Sequence, residues 1–304
     1  RLGAARFLDV TKVDLGYFCD ATTEALSRFQ QLRGLPADGV CDANTWTLLV
    51  ESSWLLGSRL LYLTSPQLRG DDVELLQTTL AKLGFHCGRV DGILGPKTVA
   101  ALSDFQLNYG LVADGVCGEE TLQALDRISG QSGEGPGVVS VREFEKLRDN
   151  IASSSGHRIV VGHFGAAADV ARGVVRAMRN ASYEVALVES ADERAHARTA
   201  NAFQADVYVA ISLCDDEQEA VLFYQSETTI SAGGYLLATE LQHHLSTAGK
   251  PVVLTTGSRL PVLRETTMPA AICLLGLRLQ ENEVVPSIAS AIEAWCRNPL
   301  ARAE

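Results

Sequence analysis

The side chains best suited to metal or redox chemistry in this 304-residue chain are its six histidines and seven cysteines. The cysteines are odd in number and scattered, and none forms a CxxC pair, so their spacing predicts no disulfide framework. His243 and His244 are adjacent, and adjacent helical positions face different directions, so they are not a ligand pair. We therefore expect mostly buried thiols outside disulfides, typical of a reducing compartment, and we expect His196 at the surface.

A second set of residues recurs at a fixed distance within the first 126 residues. Phe29 corresponds to Phe105 and Thr45 to Thr121, an offset of 76 residues in both cases. The shared residues are Phe29-Gln30, Gly34-Leu35, Ala37 to Cys41 and Thr45 in the first copy, and Phe105-Gln106, Gly110-Leu111, Ala113 to Cys117 and Thr121 in the second. So many identities in one register indicate an internal duplication.

The second copy is the more complete one and predicts three helices. Apolar residues spaced three and four apart predict the first helix, which a capping box of Asp71 and Glu74 would open. Pro96 suits the first turn of the second helix, and Gly110 suits its C-terminal end. A short third helix is predicted over Glu119–Leu125. Each unit is thus predicted as a small all-α module of three helices, and the first copy lacks most of its opening helix.

These motifs resemble the peptidoglycan-binding module that accompanies bacterial wall hydrolases. The matching residues are Leu76-Gln77, Leu83-Gly84, Asp91-Gly92, Gly95, Thr98, Phe105-Gln106, Gly110-Leu111, Asp114-Gly115, Gly118 and Thr121. The resemblance implies peptidoglycan as ligand, with contacts drawn from Asp91, Gly92, Phe105, Gln106, Asp114 and Gly115. We interpret these mainly as residues that the fold needs, because most are turn glycines, turn aspartates or core aromatics. The first copy departs from the pattern over Asp14–Asp20 and at Asp42.

The second half of the chain alternates between apolar strands and helical stretches. Predicted strands include Ile159–Val161, Tyr183–Val188, Val207–Leu213, Ala220–Tyr224 and Ala271–Leu275. Predicted helices include Val170–Asn180, Glu193–Phe203, Gly233–Leu245 and Val285–Cys296. This order favours an α/β domain with a largely parallel sheet flanked by helices. The predicted domains are a first module over 1–52, a second over 53–128, a Gly- and Ser-rich linker over 129–156, with a short helical stretch inside it, and the α/β domain over 157–304.

Several segments of this α/β half, in order, resemble the zinc-dependent N-acetylmuramoyl-L-alanine amidases. They are Gly162 to Gly165, Arg198 to Asn201, Ala205-Asp206, Ile211 to Leu213, Val262 to Arg264, Thr267, Pro269-Ala270 and Gly276. The resemblance implies a zinc ion held by two histidines and a glutamate, with one position open for water. It also implies a further glutamate that acts as general base on that water.

Most of the residues that this chemistry requires are missing. His163 takes the first ligand position, but Gly165–Ala168 offers no glutamate for the second. Cys214 stands where the third ligand is expected, and Leu274 stands at the position of the general base. We therefore expect no catalytic residue and no cofactor, with His163 as a vestige.

A rebuilt zinc site is the alternative. Cys214 is a zinc ligand type, and Asp169 or Asp215 could supply oxygen. We interpret the remaining acidic residues nearby, Asp215 to Glu217 and Glu265, as solvated loop charges.

The charge and hydropathy of the chain limit its partners. A net charge of −11 argues against nucleic acid, and no apolar stretch approaches the ~20 residues of a membrane span. No leader is visible, so we expect a cytoplasmic protein, with export to the cell wall as the alternative.

Two binding modules ahead of a degenerate amidase domain resemble the actinobacterial CwlM-type amidase homologues. Members without the catalytic set are regarded as regulators of peptidoglycan precursor synthesis. The expectation is therefore a non-catalytic scaffold or sensor that binds peptidoglycan fragments or precursors, and a protein of the precursor pathway. The alternatives are an active zinc amidase that cleaves the bond between N-acetylmuramic acid and L-alanine, and an exported wall-anchoring protein.

Overall fold

The computed structural model describes residues 1–129 except 12 and 15, 143–148 except 146, 156–214, 219–247, 254–276 and 281–301. The chain divides into two compact units. The first comprises Arg1–Arg142 with Glu227–Thr229, and the second comprises Glu143–Ser226 with Ile230–Glu304. Most of the predicted linker and the acidic loop 215–217 lie outside the described residues. Within the described residues, no helix has the length and apolar character that a membrane crossing requires.

The named elements of the first unit, among its described residues, are helices. They are α1 (Asp20–Leu32), α2 (Ala43–Glu51), α3 (Asp71–Lys82), α4 (Pro96–Asn108) and α5 (Glu119–Ser129). The three predicted helices of the second copy are confirmed as α3, α4 and α5. Gly84 and Gly110 have φ values of 92° and 69°, the left-handed conformation that ends α3 and α4 after their last turns.

The predicted capping box of α3 is wrong. The helix begins at Asp71, so its N-cap is Gly70, which offers no side chain to the first turn. The Asp71 carboxylate instead accepts a hydrogen bond of 2.6 Å from Nη2 of Arg33. Asp71 therefore links the two modules rather than capping its own helix.

The second unit contains one six-stranded sheet. Its elements are β1 (Arg158–Phe164), α6 (Ala168–Asn180), β2 (Glu184–Glu189), α7 (Glu193–Ala202), β3 (Val207–Cys214), β4 (Ala220–Tyr224), α8 (Ala232–Thr247), β5 (Leu254–Ser258), α9 (Pro261–Glu265), β6 (Ala270–Gly276) and α10 (Glu281–Arg297). The strand order is β2-β1-β3-β6-β4-β5, and β4 and β6 form the one antiparallel pair among the described strands. The predicted, largely parallel α/β fold is confirmed.

Apolar clusters cover the sheet on both faces. On the first face, odd-numbered residues of β1 such as Val161 pack in one cluster with residues of α6, α8 and α10. On the second face, even-numbered residues such as Val160 and Tyr208 pack with residues of α7 and α9. Since side chains alternate along a strand, a residue's position decides which face it joins. The carboxyl ends of β1, β3 and β6 lie side by side at one edge, where the residues of the predicted catalytic site belong.

Candidate functional site

Gln106 forms a buried hydrogen-bonded clamp in the second module. Its Nε2 donates to Oδ1 of Asp114 at 2.9 Å, to the carbonyl oxygen of Val116 at 3.0 Å and to Oγ1 of Thr121 at 3.1 Å. Its Oε1 accepts from the N–H of Gly115 at 2.9 Å. The amide of Gln106 is thus satisfied on both sides, which a side chain only 1% exposed requires.

The same clamp occurs twice more in the first unit. Gln77 donates to Asp91, Ile93 and Thr98 and accepts from the N–H of Gly92. Gln30 donates to Asp38, Val40 and Thr45 and accepts from the N–H of Gly39. The glycines need their positive φ values of 69° to 71° to present these N–H groups. The clamp is therefore a repeated device that ties a loop to the helices on either side of it.

The opening of the first copy follows a different register. The ring of Phe7 meets Phe29 edge-on at 5.3 Å between ring centroids, as Phe85 meets Phe105 at 5.6 Å. Phe7 therefore corresponds to Phe85, an offset of 78 residues instead of 76. The departure of the first copy from the repeated pattern thus includes two extra residues between this phenylalanine and the helix that follows.

These bonds place the predicted ligand-binding residues of the modules. Phe105 is fully buried and meets Phe85 edge-on at 5.6 Å between ring centroids. Asp91 and Asp114 use carboxylate oxygens in the clamps, and the N–H of Val116, followed by the amide of Gln106, lowers the pKa of Asp114. Each candidate thus has a role in the fold, and its contact with a ligand stays a prediction.

His163 lies near the carboxyl end of β1, level with Glu189 of β2 and Ile211 of β3. Its Nε2 is 3.7 Å from Oε1 of Glu189, which is beyond hydrogen-bond distance. That glutamate accepts a shorter bond of 2.8 Å from Arg172, which also contacts Asp169 at 3.3 Å. Both ring nitrogens of His163 are buried and have no hydrogen-bond partner among the described residues.

Cys214 and Leu274 lie across the sheet from His163. Ile211 is level with His163 and shares its face, so alternation along β3 puts Ser212 and Cys214 on the opposite face. Leu274 is level with Ser212 and therefore shares that second face. Among the described residues, no three His, Cys, Asp or Glu side chains group closely enough to hold a metal ion. The sheet therefore does not bring His163 and Cys214 together, and the described residues do not fit a three-ligand zinc site.

Leu274 occupies the middle of the sheet at the predicted general-base position. Its neighbours in register are Ser212 on β3 and Ala220 on β4, and it packs against the apolar cluster of the second face. A carboxylate that sequence reasoning missed lies close by. Oε1 of Glu219 accepts from the N–H of Gly276 at 3.0 Å, at the end of the same strand. Glu219 directly precedes β4, and no motif used for the amidase resemblance includes that part of the chain.

The expectation that His196 lies at the surface is wrong. The side chain is fully buried on α7, with Nε2 2.8 Å from the carbonyl oxygen of Ser190 and Nδ1 2.8 Å from the hydroxyl of Tyr208. Because a carbonyl only accepts, Nε2 carries the proton and Nδ1 accepts from the tyrosine. Burial lowers the pKa of His196, so the neutral ring fits this environment. Gly162 leaves room for the ring against β1, because a Cβ there would lie 2.5 Å from Nδ1.

The expectation of a solvated Glu265 is also wrong. Its Oε1 lies 3.2 Å from Nε of Arg194, and its side chain is only 14% exposed. Asn201 donates to the carbonyl oxygen of Glu265 at 2.8 Å and accepts from the N–H of Thr267 at 2.9 Å. Two separated amidase-like motifs therefore meet through Asn201, and their role here is to hold α7 against the loop after α9.

Comparison with known proteins identifies one matching family and several relatives. Residues 1–49 and 69–125 match the family described as "Putative peptidoglycan binding domain". Over 151 residues, 49% of this chain and 37% of the relative, the chain is 43% identical to N-acetylmuramoyl-L-alanine amidase CwlM of Mycobacterium tuberculosis. Over 133 residues, it is 30% identical to N-acetylmuramoyl-L-alanine amidase CwlL of Bacillus licheniformis, covering 37% of each protein. The chain thus spans little more than a third of the length of these curated relatives.

A solved structure also aligns with part of the chain. N-acetylmuramoyl-L-alanine amidase from Clostridium difficile 630 matches 47% of this chain and 97% of its own, with 17% identity and a TM-score of 0.39. Two segments of the helical part are thus similar to the peptidoglycan-binding family, and part of the chain is similar to N-acetylmuramoyl-L-alanine amidases.

Proposed function

We propose that this protein binds peptidoglycan or its fragments through its helical modules, and that its amidase-like domain does not hydrolyse them. The observation that carries the proposal is Leu274, an alkyl side chain in the middle of the sheet where the amidase reaction needs a carboxylate. A general base must accept a proton from the attacking water, and a leucine has no atom that can do so. Its strand neighbours in register, Ser212 and Ala220, offer no carboxylate in its place.

The metal ligands support the same proposal. A catalytic zinc ion needs three protein ligands that converge on one point. His163 supplies one imidazole, whereas Cys214 projects from the opposite face of the sheet. Glu189, the carboxylate level with His163, is already bonded to Arg172. An amidase-like sheet without these donors favours a domain that recognises wall material or a protein rather than one that cleaves an amide.

A regulatory or scaffolding role in cell-wall biogenesis follows from this proposal. The modules would hold a peptidoglycan fragment or precursor, and the α/β domain would present a surface to a protein of the precursor pathway. We place this activity in the cytoplasm, where precursors are made. Export to the wall is the other location, in which the modules would serve as anchors.

The competing function is zinc-dependent hydrolysis between N-acetylmuramic acid and L-alanine. Two observations favour it. The relatives at 43% and 30% identity are named as amidases, and His163 retains two buried ring nitrogens without hydrogen-bond partners in the described part of the chain.

One experiment separates the two functions. The purified chain is incubated with isolated sacculi, and its sedimentation, the release of peptides and its zinc content are measured together. We expect sedimentation without peptide release and without stoichiometric zinc. Hydrolysis with bound zinc that is lost in His163→Ala, but kept in the exposed control His243→Ala, would establish the amidase. Absence of sedimentation would instead refute peptidoglycan binding and leave the catalytic question to the release assay.

A further inference from the structure

An extended segment of the chain covers one side of the second module. In this segment, residues 57–69, the N–H of Leu61 donates to the carbonyl oxygen of Cys117 at 3.4 Å, and the N–H of Cys117 donates back at 2.8 Å. This is an antiparallel bridge. Leu61 is 0% and Cys117 is 1% exposed. The segment therefore adds a short strand to the loop before α5 and buries apolar side chains under it.

The same segment also covers the loop before α4. The N–H of Leu94 donates to the carbonyl oxygen of Leu68 at 2.9 Å, and Leu94 is fully buried. At the other end, Gly57 passes over Leu122 of α5, since a Cβ at Gly57 would lie 3.5 Å from a methyl group of that leucine. Residues 57–69 thus form one continuous cover over Leu94, Cys117 and Leu122.

The first module has the same positions without a cover. In the 76-residue register, Leu94 corresponds to Phe18, Cys117 to Cys41 and Leu122 to Trp46. The register holds here, because Cys19 and Gly95 are the equivalent N-caps of α1 and α4. Phe18 is 56% exposed, Trp46 is 53% exposed and Cys41 is exposed, and Tyr17 beside them is 71% exposed. We call Tyr17, Phe18, Cys41 and Trp46 the bare face.

The main chain of the bare face is also open for pairing. In the second module, the N–H and carbonyl of Cys117 both bond to Leu61. Among the described residues, no such bridge is present at Cys41. An unpaired backbone segment beside exposed aromatic rings can bind an extended peptide by backbone pairing, as a sheet edge does.

The charges around the bare face indicate which kind of peptide segment would bind to it. The cover of the second module, residues 57–69, contains two arginines and no acidic residue. The bare face is flanked by exposed Asp20 and Asp42, where the second module has Pro96 and Gly118. Opposite charges across an interface favour the matched partner over others.

We propose that the bare face binds an extended, basic, leucine-bearing segment of a partner protein. The segment pairs antiparallel with Cys41, as residues 57–69 pair with Cys117, and its leucines lie against Phe18 and Trp46. This inference does not rest on peptidoglycan binding, because it is argued only from the contacts of residues 57–69 and from the equivalent exposed positions of the first module.

A thiol-protection experiment on the full chain tests the proposal. The probe is a synthetic peptide with the sequence of residues 57–69, and mass spectrometry follows alkylation of each cysteine by iodoacetamide. At a peptide concentration that fills ~90% of the sites, we expect alkylation of Cys41 to slow about tenfold. Cys214, a part-buried cysteine of the second unit, is the internal reference. Buried Cys117 reports that the fold is intact.

Matched variants make the result specific. Trp46→Asp should abolish protection of Cys41, whereas Leu107→Asp, a change at an exposed leucine of α4, should leave it unchanged. A peptide with aspartate at the two positions equivalent to Leu61 and Leu68 should not protect. Unchanged alkylation of Cys41 at saturating peptide would overturn the proposal. Protection that rises with protein concentration in the absence of peptide would overturn it in favour of a second copy of this chain.

Discussion

At the scale of single residues, the glutamine clamp explains why the module motif has its composition. A buried primary amide offers donors on one atom and an acceptor on the other, and the clamp uses both. Asp114 also accepts the N–H of Val116, at 2.9 Å, so the loop folds back on itself before the glutamine closes it. The Asp114-Gly115 pair therefore serves to close the loop. A ligand that binds there would have to contact the atoms of this pair that the clamp leaves exposed.

We expect Gln106→Ala to lower the free energy of unfolding of the first unit by about 2–3 kcal/mol, because it leaves buried polar groups without partners. Urea denaturation followed by circular dichroism measures the change. Gln123→Ala removes an exposed glutamine of the neighbouring helix α5 and should change stability by less than about 0.5 kcal/mol. Equal effects of the two substitutions would show that the clamp is not a stabilising element.

The clamp also predicts a pH dependence. The pKa of Asp114 in the folded protein lies below its ordinary value of 3.8, chiefly because the N–H of Val116 and then the amide of Gln106 bond the carboxylate. Its contribution to stability is therefore present above pH 3.8 and is lost as the pH falls through the folded value. We expect Asp114→Asn to flatten the loss of stability below pH 3.8. NMR titration should find the carboxyl pKa closer to 3.8 in Gln106→Ala, and an unchanged value would contradict this.

At the scale of elements, β1 and α7 pack closely because Gly162 has no side chain. Gly162 lies on the second face of β1, and the ring of His196 and the hydroxyl of Tyr208 occupy the space beside it. We expect Gly162→Ala to destabilise the second unit by about 1–3 kcal/mol, because a Cβ would lie 2.5 Å from His196 and 2.7 Å from Tyr208.

Thermal unfolding provides the measurement for Gly162→Ala. Gly156→Ala is the control, since a Cβ there meets nothing within 4 Å. A second measurement is the indole and tyrosine fluorescence of the folded state. It should change in Gly162→Ala and stay the same in Gly156→Ala. If both glycines tolerate alanine equally, the His196 ring is not held against β1 as described.

The N-terminus of α8 depends on a residue far from it in sequence. The carboxylate of Glu143 accepts from Oγ of Ser231 at 2.9 Å and from the N–H groups of Ala232 and Gly233 at 3.0 Å each. A carboxylate at this end of a helix satisfies unpaired N–H groups and complements the helix dipole.

Glu143→Gln should therefore lower the stability of the second unit by about 1 kcal/mol, because a neutral amide is a weaker acceptor for the first turn. Glu145→Gln changes an exposed carboxylate two residues away and is the matched control. Hydrogen exchange of the α8 first turn should quicken in the first variant and not in the second. Uniform exchange in both would remove Glu143 from the role of cap.

The elements also show how far sequence patterns reach. The sequence predicts β3 as Val207–Leu213, β4 as Ala220–Tyr224 and α10 as Val285–Cys296, because long apolar runs or apolar stripes mark elements buried in the core. The edge strand β5, Leu254–Ser258, has the sequence LTTGS and an exposed first residue, so it carries no such run. The five-residue helix α9 is shorter than the repeat that a pattern needs. Periodicity detects burial, and these two elements are defined mainly by their neighbours.

The site residues also divide into those that the sequence predicts and those that it does not. The order of motifs assigns Leu274 and Cys214 their positions in the predicted site, and in the structure Leu274 lies on β6, level with Ser212 of β3. That His163 and Cys214 face opposite sides could not be read from the sequence, since it depends on the register between β1 and β3. The burial of His196 on α7 could not be predicted either, because its partner Tyr208 belongs to a separate element, β3.

At the scale of the whole molecule, the helical part is a chain of linked clamps. Helix α4 receives the clamp of Gln77 at Thr98 and carries the next clamp at Gln106. Successive loops are therefore bound to the same helix. The loss of one clamp weakens the attachment of the helix that carries the next clamp. Between the two modules, the connection instead depends on Arg33, which is 5% exposed, and Asp71, which is 30% exposed.

This ion pair should make the two modules unfold together. Nη2 and Nη1 of Arg33 lie 2.6 Å and 3.4 Å from the two carboxylate oxygens of Asp71. We expect Arg33→Ala to cost about 2 kcal/mol, since a largely buried charge pair loses one partner, and to separate the unfolding of α1–α2 from that of α3–α5. Arg28→Ala, at an exposed arginine of the same helix, should do neither.

A double-mutant cycle with Asp71→Ala should give a coupling of about 1–2 kcal/mol. If the two single effects simply add, and hydrogen exchange still shows one cooperative transition in Arg33→Ala, packing rather than this pair joins the modules.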